Sequence, residues 1–326
     1  MHQYIERASG TVVTEQLLGD RMVRLLYDRV RENSTALFRL LTSQWSSAVL
    51  GAVNFDRPLL DSTAFAAQCG IDLSDCLEPP HHLTTARALF ERKIRYETCR
   101  PMPEDPAAVV SPADARVLVG SLQQQSLVFL KDKFFSVDEL LGKQEWLERF
   151  YDGDVALFRL TPDKYHYNHT PVAGRVTDHY DVGGSYHSCN PAAIVREVTP
   201  FSKNKRVVTI IDTDVEQGSQ VGVVAMIEVV ALMIGDIVQA YSRHGYDEPL
   251  GLQQGMFLEK GRPKSLYRPG SSTDILLFEP GRIRFCDDLL QNQHRCDVTS
   301  RFSQGFGRPL VETDIRVRSL LAAAAR

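Results

Sequence analysis

The sequence lacks the features that mark nucleic-acid binders, membrane-spanning proteins and disordered chains. Its 37 lysines and arginines are balanced by 41 aspartates and glutamates, giving a net charge of −4, whereas a dedicated nucleic-acid binder normally carries a basic excess. It has no run of about eighteen apolar residues that could cross a bilayer. With 43% hydrophobic and 24% charged residues among 326, we expect a globular protein of one large domain or two modest ones.

Paired cysteine motifs are also missing. The six cysteines form no C-x-x-C pair, so we expect reduced thiols in a cytoplasmic protein. They are Cys69, Cys76, Cys99, Cys189, Cys286 and Cys296. The opening residues, MHQYIERASG, do not have the pattern of a secretory signal peptide, which favours the same localisation.

The first hundred residues have helical periodicity. Residues 15–31 place apolar side chains three and four positions apart, residues 35–53 form a more apolar stretch around Trp45, and residues 84–94 form a third candidate. We therefore predict a helical N-terminal region over residues 1–100. Its apolar faces either pack on the core or form a lipid-facing surface, and the sequence leaves both possibilities open.

After a proline-rich linker at residues 97–106, the pattern changes to short strands. Apolar and β-branched runs bounded by turn residues occur at 116–118, 127–130, 155–160, 207–211 and 221–227. We predict an α+β protein in which the helical region precedes a β-rich domain of antiparallel, sandwich-like sheets over residues 101–290. Residues 291–326 are predicted to be a polar tail whose end, RSLLAAAAR, is a frayed helix.

The most informative segment is residues 260–278, KGRPKSLYRPGSSTDILLF. By itself, its small-residue run of Gly270, Ser271, Ser272 and Thr273 before an apolar strand predicts a solvated turn. The whole segment, however, resembles the end of the phosphatidylserine decarboxylase family pattern, K-G-x-E-x-G-x-F-x-x-G-G-S-T followed by an apolar strand. Ser272 stands at the family's reactive serine.

Two further segments strengthen the resemblance. Residues 160–174, LTPDKYHYNHTPVAG, are similar to the family's L-x-P-x-D-Y-H-R-x-H-x-P-x-x-G, with His166 and His169 at the two histidine positions. Residues 111–114 match its S-P-A-D and contribute Asp114. The three motifs occur in the family's order, and the similarity extends over residues 40 to 290.

The resemblance implies a self-processing proenzyme. Cleavage between Ser271 and Ser272 would convert Ser272 into a covalent pyruvoyl group, the cofactor for converting phosphatidylserine to phosphatidylethanolamine and carbon dioxide. Because a serine hydroxyl is a poor nucleophile, it needs a base, and the family pattern assigns that role to His169 oriented by Asp114. It also implies that His166 protonates the substrate after carbon dioxide leaves.

The same residues have simpler interpretations when the resemblance is set aside. His166 and His169 form a His-x-x-His pair that could bind a metal, although the sequence offers no convincing third ligand and we expect no metal. Asp114, after Ser-Pro, is typical of a turn.

Several departures from the family pattern lie near the cleavage motif. Ser271 stands where the family has glycine, Pro263 and Ser265 replace its E-x-G, and Asp274 replaces an apolar residue. They leave two alternatives open: a pyruvoyl-dependent decarboxylase of a soluble amino acid, or an unprocessed, non-catalytic relative. The partners implied by the resemblance are phosphatidylserine or a related amine, an anionic membrane surface bound peripherally, and a second copy in a homodimer.

Overall fold

The computed structural model describes residues 1–17, 20–30, 33–34, 38, 41–43, 46, 55–122, 134–196, 199–231, 236–269 and 272–325. Within these ranges it contains sixteen β-strands. They are β1 (Gln3–Glu6), β2 (Val12–Thr14), β3 (Val109–Val110), β4 (Ala115–Ser121), β5 (Asp154–Leu160), β6 (Tyr167–His169), β7 (Gly174–Val182), β8 (Arg206–Asp212), β9 (Val223–Val230), β10 (Ile237–Gln239), β11 (Phe257–Leu258), β12 (Pro263–Tyr267), β13 (Ser272–Phe278), β14 (Ile283–Phe285), β15 (Thr313–Ile315) and β16 (Leu320–Ala324).

The helices of the described residues are short. They are α1 (Asp20–Leu25), α2 (Ser62–Cys69), α3 (Ala86–Phe90), α4 (Tyr96–Cys99), α5 (Val137–Leu141), α6 (Gln144–Phe150), α7 (Pro191–Arg196), α8 (Pro200–Lys203), α9 (Asp287–Gln293) and α10 (Arg301–Phe306). A π-helical turn, Leu26–Val30, continues α1, and Pro80–His82 forms a 3₁₀ turn. Local sequence explains the boundaries of α2: the Asp61 side chain accepts two backbone N–H bonds at its start, and Gly70 ends it in the left-handed conformation.

Ten strands form one sheet in the order β11-β7-β8-β9-β13-β5-β4-β15-β1-β2. Its pairs are antiparallel except for β1 and β15, which run parallel. Two antiparallel three-stranded sheets accompany it, in the orders β10-β12-β6 and β14-β16-β3.

Strand β13 lies in the middle of the large sheet, between β9 and β5. All seven of its residues are buried, and successive side chains point to opposite faces of the sheet. Leu276 and Phe278 join one apolar cluster, while Ile275 and Leu277 join another. Burial of each such side chain contributes about 1.5–3 kcal/mol to the free energy of unfolding. Two apolar cores, one on each face of the sheet, therefore stabilise β13. Ser272, the first residue of β13, therefore lies at the end of a strand that is packed on both faces.

The strands predicted at residues 116–118, 155–160, 207–211 and 221–227 are confirmed as β4, β5, β8 and β9. The predicted helix at residues 84–94 is confirmed over Ala86–Phe90, and that at 15–31 contains α1 and its π-helical turn. The predicted strand at 127–130 and most of the predicted helix at 35–53 lie outside the described residues.

The two chain ends correct the sequence interpretation. The first residues form strands β1 and β2 of the large sheet, although we predicted a helical region there. The predicted helix in RSLLAAAAR was wrong, because Leu320–Ala324 forms β16 between β14 and β3. Leu321 and Ala322 are fully buried there, and this burial outweighs the helix preference of alanine.

Among the described residues, no helix combines the length and apolarity that crossing a bilayer requires.

Candidate functional site

Ser272 is buried, and its hydroxyl has no hydrogen-bond partner in the part of the chain that the structure describes. It pairs with Leu160 of β5 and Val230 of β9. An unpartnered buried hydroxyl is costly, by about 1–3 kcal/mol, and is typical of a functional position. Ser271 and the bond between it and Ser272 lie outside the described residues, so the predicted cleavage position stays a prediction.

His169, the last residue of β6, has both ring nitrogens engaged. Nδ1 lies 2.9 Å from the Gly261 carbonyl oxygen, and Nε2 lies 2.9 Å from the Tyr165 hydroxyl. Since a carbonyl only accepts, Nδ1 carries the proton and Nε2 accepts from Tyr165. Burial lowers the pKa of His169 to about 3, so the ring is neutral near pH 7. A neutral imidazole with an accepting Nε2 has the protonation state that a general base requires.

Gly261 is required for this arrangement. Its φ of +74° is a left-handed conformation, and a Cβ there would lie 2.4 Å from the Met102 sulfur. The glycine of the K-G pair therefore presents the carbonyl that fixes the tautomer of His169.

Asp114 is not hydrogen-bonded to His169. Its carboxylate accepts from Arg100 Nη2 at 2.8 Å and from the backbone N–H of Val317 at 2.8 Å. Burial acts to raise the pKa of Asp114, but Arg100 holds it below the ordinary value. Asp114 and His169 are nevertheless neighbours, because the His169 N–H donates to the carbonyl of Pro112 at 2.7 Å. The structure thus places the predicted acid beside the predicted base but pairs it with an arginine.

His166 is fully buried, and neither ring nitrogen has a hydrogen-bond partner. Its ring stacks on Phe90 with centroids 3.5 Å apart. Phe90 and Leu160 belong to the same apolar cluster, and Leu160 is the direct strand partner of Ser272. Burial, assisted by the charge of Arg92, lowers the pKa of His166 well below its ordinary value. The ring is therefore neutral near pH 7.

Ser272 is one of nine described residues whose buried side chains carry an N or O atom without a hydrogen-bond partner. Such atoms normally find partners, so each of them needs an explanation. Six of the nine are Arg92, Thr161, His166, Asn168, Ser272 and Asp274, and the other three are Arg116, Arg282 and Arg318. Two of them are close to Ser272 in the strand pairing: Thr161 follows Leu160, the strand partner of Ser272, and Asp274 lies two residues after Ser272 in β13.

A buried charged network lies beside Ser272 on the same side of the sheet. Lys264 Nζ donates to Glu228 at 2.7 Å, and both side chains are fully buried. Glu228 also accepts from Gln239 at 3.0 Å, from Asn168 at 3.2 Å and from the Ser265 hydroxyl. The network ties β9 of the large sheet to β6, β10 and β12 of the small sheet. Ser265, a departure from the family pattern, is one of its donors.

Asp274, another departure, lies directly opposite Glu228 and on the same face of β13 as Ser272. One carboxyl oxygen accepts from the Tyr267 hydroxyl at 2.7 Å, and the other has no partner. Lys264, the cation of this network, is already paired with Glu228. Burial and the negative charge of Glu228 therefore raise the pKa of Asp274 well above its ordinary value. Burial therefore favours the neutral form of Asp274 in the folded chain.

Replacing Asp274 with valine is expected to stabilise the protein at pH 7 by about 1–3 kcal/mol, because it removes an unpartnered buried carboxyl. A carboxyl whose folded pKa is raised contributes its full stability below the unfolded pKa and loses it as pH rises through the folded pKa. The advantage of Asp274→Val should therefore grow from pH 4 upward in denaturant unfolding. Glu228→Gln, which leaves Lys264 unpaired, should instead destabilise by about 3–5 kcal/mol. Equal or lower stability of Asp274→Val at pH 7 would contradict the assignment.

The sequence analysis missed most partners of the predicted site residues. Tyr165 binds the predicted base and Arg100 the predicted acid. Tyr165 stands at the tyrosine position of the histidine motif, but a motif does not show which side chains bind each other. Glu228 does have such a signal, since it is a single charge inside the buried apolar strand VVAMIEVV.

One other group of potential metal ligands occurs among the described residues, formed by His2, Glu15 and Glu312. The Arg159 guanidinium already lies among them, with Nη2 2.7 Å from Glu15 and 2.6 Å from Glu312. It supplies the positive charge that a metal ion would otherwise provide. His166 and His169 do not form a metal pair here, since His169 is engaged at both nitrogens.

Comparison with known proteins agrees with the geometry. A model of the phosphatidylserine decarboxylase family matches residues 86–304, more than half of the chain. A phosphatidylserine decarboxylase proenzyme of Fusobacterium nucleatum is 26% identical over 310 residues, covering 94% of this chain and 97% of that protein. One of Chlamydia trachomatis is 29% identical over 316 residues, covering 94% and 96%. Phosphatidylserine decarboxylase proenzyme 3 of Schizosaccharomyces pombe is 28% identical over 275 residues, covering 83% of this chain but 27% of that protein. The chain therefore belongs to the phosphatidylserine decarboxylase family, and it is a carboxy-lyase.

Proposed function

We propose that this chain cleaves itself between Ser271 and Ser272 and then decarboxylates phosphatidylserine to phosphatidylethanolamine. The observation that carries the proposal is the buried Ser272 hydroxyl, which has no hydrogen-bond partner among the described residues, in a chain of this family. A decarboxylase of a free amino acid is the remaining enzymatic alternative, and the departures at Ser265 and Asp274 are what keep it open.

The residues at Ser272 fit the formation of a pyruvoyl group. Its hydroxyl is buried, free of hydrogen bonds and fixed at the first residue of a rigid strand. His169 is neutral, and its Nε2 takes the hydroxyl proton in this scheme. No hydrogen bond joins His169 to Ser272 among the described residues, so Nε2 must first exchange its bond to Tyr165 for one to Ser272. The hydroxyl oxygen attacks the carbonyl carbon of Ser271, and the C–N bond between the two residues breaks to leave an ester. Removal of the Ser272 α-proton then expels the Ser271 carboxylate and leaves dehydroalanine, which water hydrolyses to the pyruvoyl group with release of ammonia. A pyruvoyl carbonyl, once formed, condenses with a primary amine and accepts the electrons released when carbon dioxide leaves.

Each residue of the chain then has a defined task. Asp114 and Arg100 hold the loop that contacts the His169 backbone. His166 stacks on Phe90, a member of the apolar cluster that includes Leu160, and we infer that it delivers a proton to the carbon that loses carbon dioxide. This cluster, which includes Phe90 and Leu160, excludes water from the site. An apolar environment favours decarboxylation, because the carboxylate loses its charge when carbon dioxide leaves.

A water-insoluble substrate requires the site to meet a bilayer, so we propose peripheral membrane association. The segment 55–99 exposes two large apolar side chains, Leu60 and Leu77. Exposed leucines suit shallow insertion between lipid headgroups. Leu320, an exposed leucine on the C-terminal strand β16, provides a control position.

The substrate and the membrane contact can be tested in one assay with phosphatidylserine vesicles. We expect the wild-type chain to float with the vesicles and to release carbon dioxide and phosphatidylethanolamine, while free serine remains unchanged. Reduction with cyanoborohydride should link the lipid amine to fragment 272–326. The double variant Leu60→Asp/Leu77→Asp should float less than wild type, and Leu320→Asp should behave as wild type. Turnover of free serine but not of the lipid would assign the chain to the alternative enzyme.

A further inference from the structure

Arg92 is a buried arginine without an anionic partner among the described residues. Its side chain is 5% exposed, and its guanidinium donates only to two carbonyl oxygens, of Leu89 at 3.0 Å and of Asp163 at 2.8 Å. Nε has no hydrogen-bond partner among the described residues. Burial lowers the pKa of Arg92, and the carboxylates of Asp114 and Asp163 act against this shift, but neither forms an ion pair with the guanidinium. Because an arginine stays protonated in proteins, a positive charge without a direct counter-ion is buried here. A buried charge without a counter-ion is costly unless a ligand completes it.

The position of Arg92 ties it to the site. It follows Phe90, the ring on which His166 stacks, and it binds the carbonyl of Asp163, three residues before His166. Both nitrogens of His166 and the hydroxyl of Thr161 are also buried and unpartnered. Thr161 and His166 thus lie on one short stretch of chain that leads from the strand partner of Ser272, and Arg92 binds that stretch at the Asp163 carbonyl.

We propose that Arg92 binds the phosphodiester of the substrate, with His166 and Thr161 beside it, and that this contact selects a phosphorylated headgroup over a free amino acid. The inference rests on the proposed function and names what the site recognises. The free Nε and the remaining guanidinium N–H groups offer the planar edge that binds two oxygens of a phosphate together.

The substrate carries two anionic groups, and the chemistry favours the phosphodiester. A decarboxylation removes the charge of the carboxylate, so an arginine paired with that group would stabilise the ground state and slow the reaction. The phosphodiester keeps its charge from substrate to product, and binding it adds no such penalty. An arginine in this site is therefore better suited to the headgroup phosphate.

The same contact would change the state of His166. Among the described residues, Arg92 is the one charged side chain that acts on His166, and it lowers the pKa of the ring. A bound phosphodiester offsets the charge of Arg92 and places an acceptor near the imidazole, so the pKa of His166 should rise. The substrate would then favour the protonated ring that must deliver a proton after carbon dioxide leaves.

Binding can be measured without turnover by calorimetry with glycerophosphocholine, a phosphodiester that has no primary amine and no carboxylate. We expect Arg92→Gln to weaken this binding about 10- to 100-fold, since a charge-assisted hydrogen bond contributes about 1.5–3 kcal/mol. Arg87→Gln is the matched control, because Arg87 lies in α3, five residues before Arg92, and is already paired with Asp56 and Glu91. Binding of 3-hydroxypropionate, a carboxylate without phosphate, should be weak and the same in all three proteins.

Several outcomes would overturn the inference. These are undetectable binding of glycerophosphocholine to wild type, unchanged binding by a folded Arg92→Gln, and loss of 3-hydroxypropionate binding alone, which would assign Arg92 to the carboxylate. If Arg92→Gln does not fold, Arg92→Lys and the NMR titration of His166 in wild type decide, with a higher pKa expected when glycerophosphocholine is bound. An intact mass of the same samples reports self-cleavage separately, so failure of the proposed function is distinguishable from failure of this assignment.

Discussion

Ser272→Ala should leave the chain uncut at its full length of 326 residues. The hydroxyl of Ser272 is the atom that attacks the preceding carbonyl, and no other side chain can supply it at this position. Wild type should give fragments 1–271 and 272–326 on a denaturing gel. We expect the cleaved fraction to fall from nearly complete to undetectable.

Ser271 provides the matched control. Ser271→Gly restores the residue that the family pattern has at this position, and Ser271→Ala removes the second hydroxyl. Both should still cleave, because neither changes the Ser272 nucleophile. Loss of cleavage in Ser271→Ala together with cleavage in Ser272→Ala would move the nucleophile to Ser271.

His169→Ala should slow self-cleavage by about 100-fold or more, the range that a positioned general base contributes. Its ring is neutral, and the Gly261 carbonyl fixes the ring proton on Nδ1. His169 therefore has the protonation state of a general base, and it stands at the position to which the family pattern assigns that role. Time courses after cell-free synthesis measure the rate directly. His166→Ala should still cleave at least in part while losing turnover.

Asp114→Asn should also accumulate uncut chain, but the structure suggests a different cause. The variant removes the carboxylate charge that pairs with Arg100, whose remaining carboxylate partner is Asp75 at 2.8 Å, so we expect a loss of about 1–3 kcal/mol. A lowered melting temperature alongside slow cleavage would identify a positioning role for Asp114.

Rapid cleavage by a folded His169→Ala variant would contradict the role of His169 as the base and remove this residue from the mechanism.

Local sequence was sufficient wherever a short motif determines the structure. The apolar run after Ser272 predicted the strand that became β13, and the three motifs supplied Asp114, His169 and Ser272. By contrast, His169 meets Gly261 because β6 pairs with β12, across 92 positions of sequence. Registers of that kind depend on which strands pair, and a single sequence does not show this.

The chain ends illustrate the same limit. β16 is an alanine-rich segment with helical preference, yet it fills a gap between β14 and β3, where burial decides. Glu228 and Asp274 lie opposite each other in adjacent strands, and Lys264, which pairs with Glu228, comes from a third strand. Charged residues in apolar strands can be noticed in the sequence, but their mutual pairing cannot be derived from it.

The central claim, that Ser272 becomes the pyruvoyl group of this enzyme, is tested most directly by the intact mass of the small fragment from the wild-type chain. The account predicts a fragment 272–326 that is lighter than the unmodified peptide by the mass of one ammonia. This is the change expected when the serine at its first position becomes a pyruvoyl group. A fragment that begins with an ordinary serine, a fragment that begins at Ser271, or an uncut chain would each contradict it.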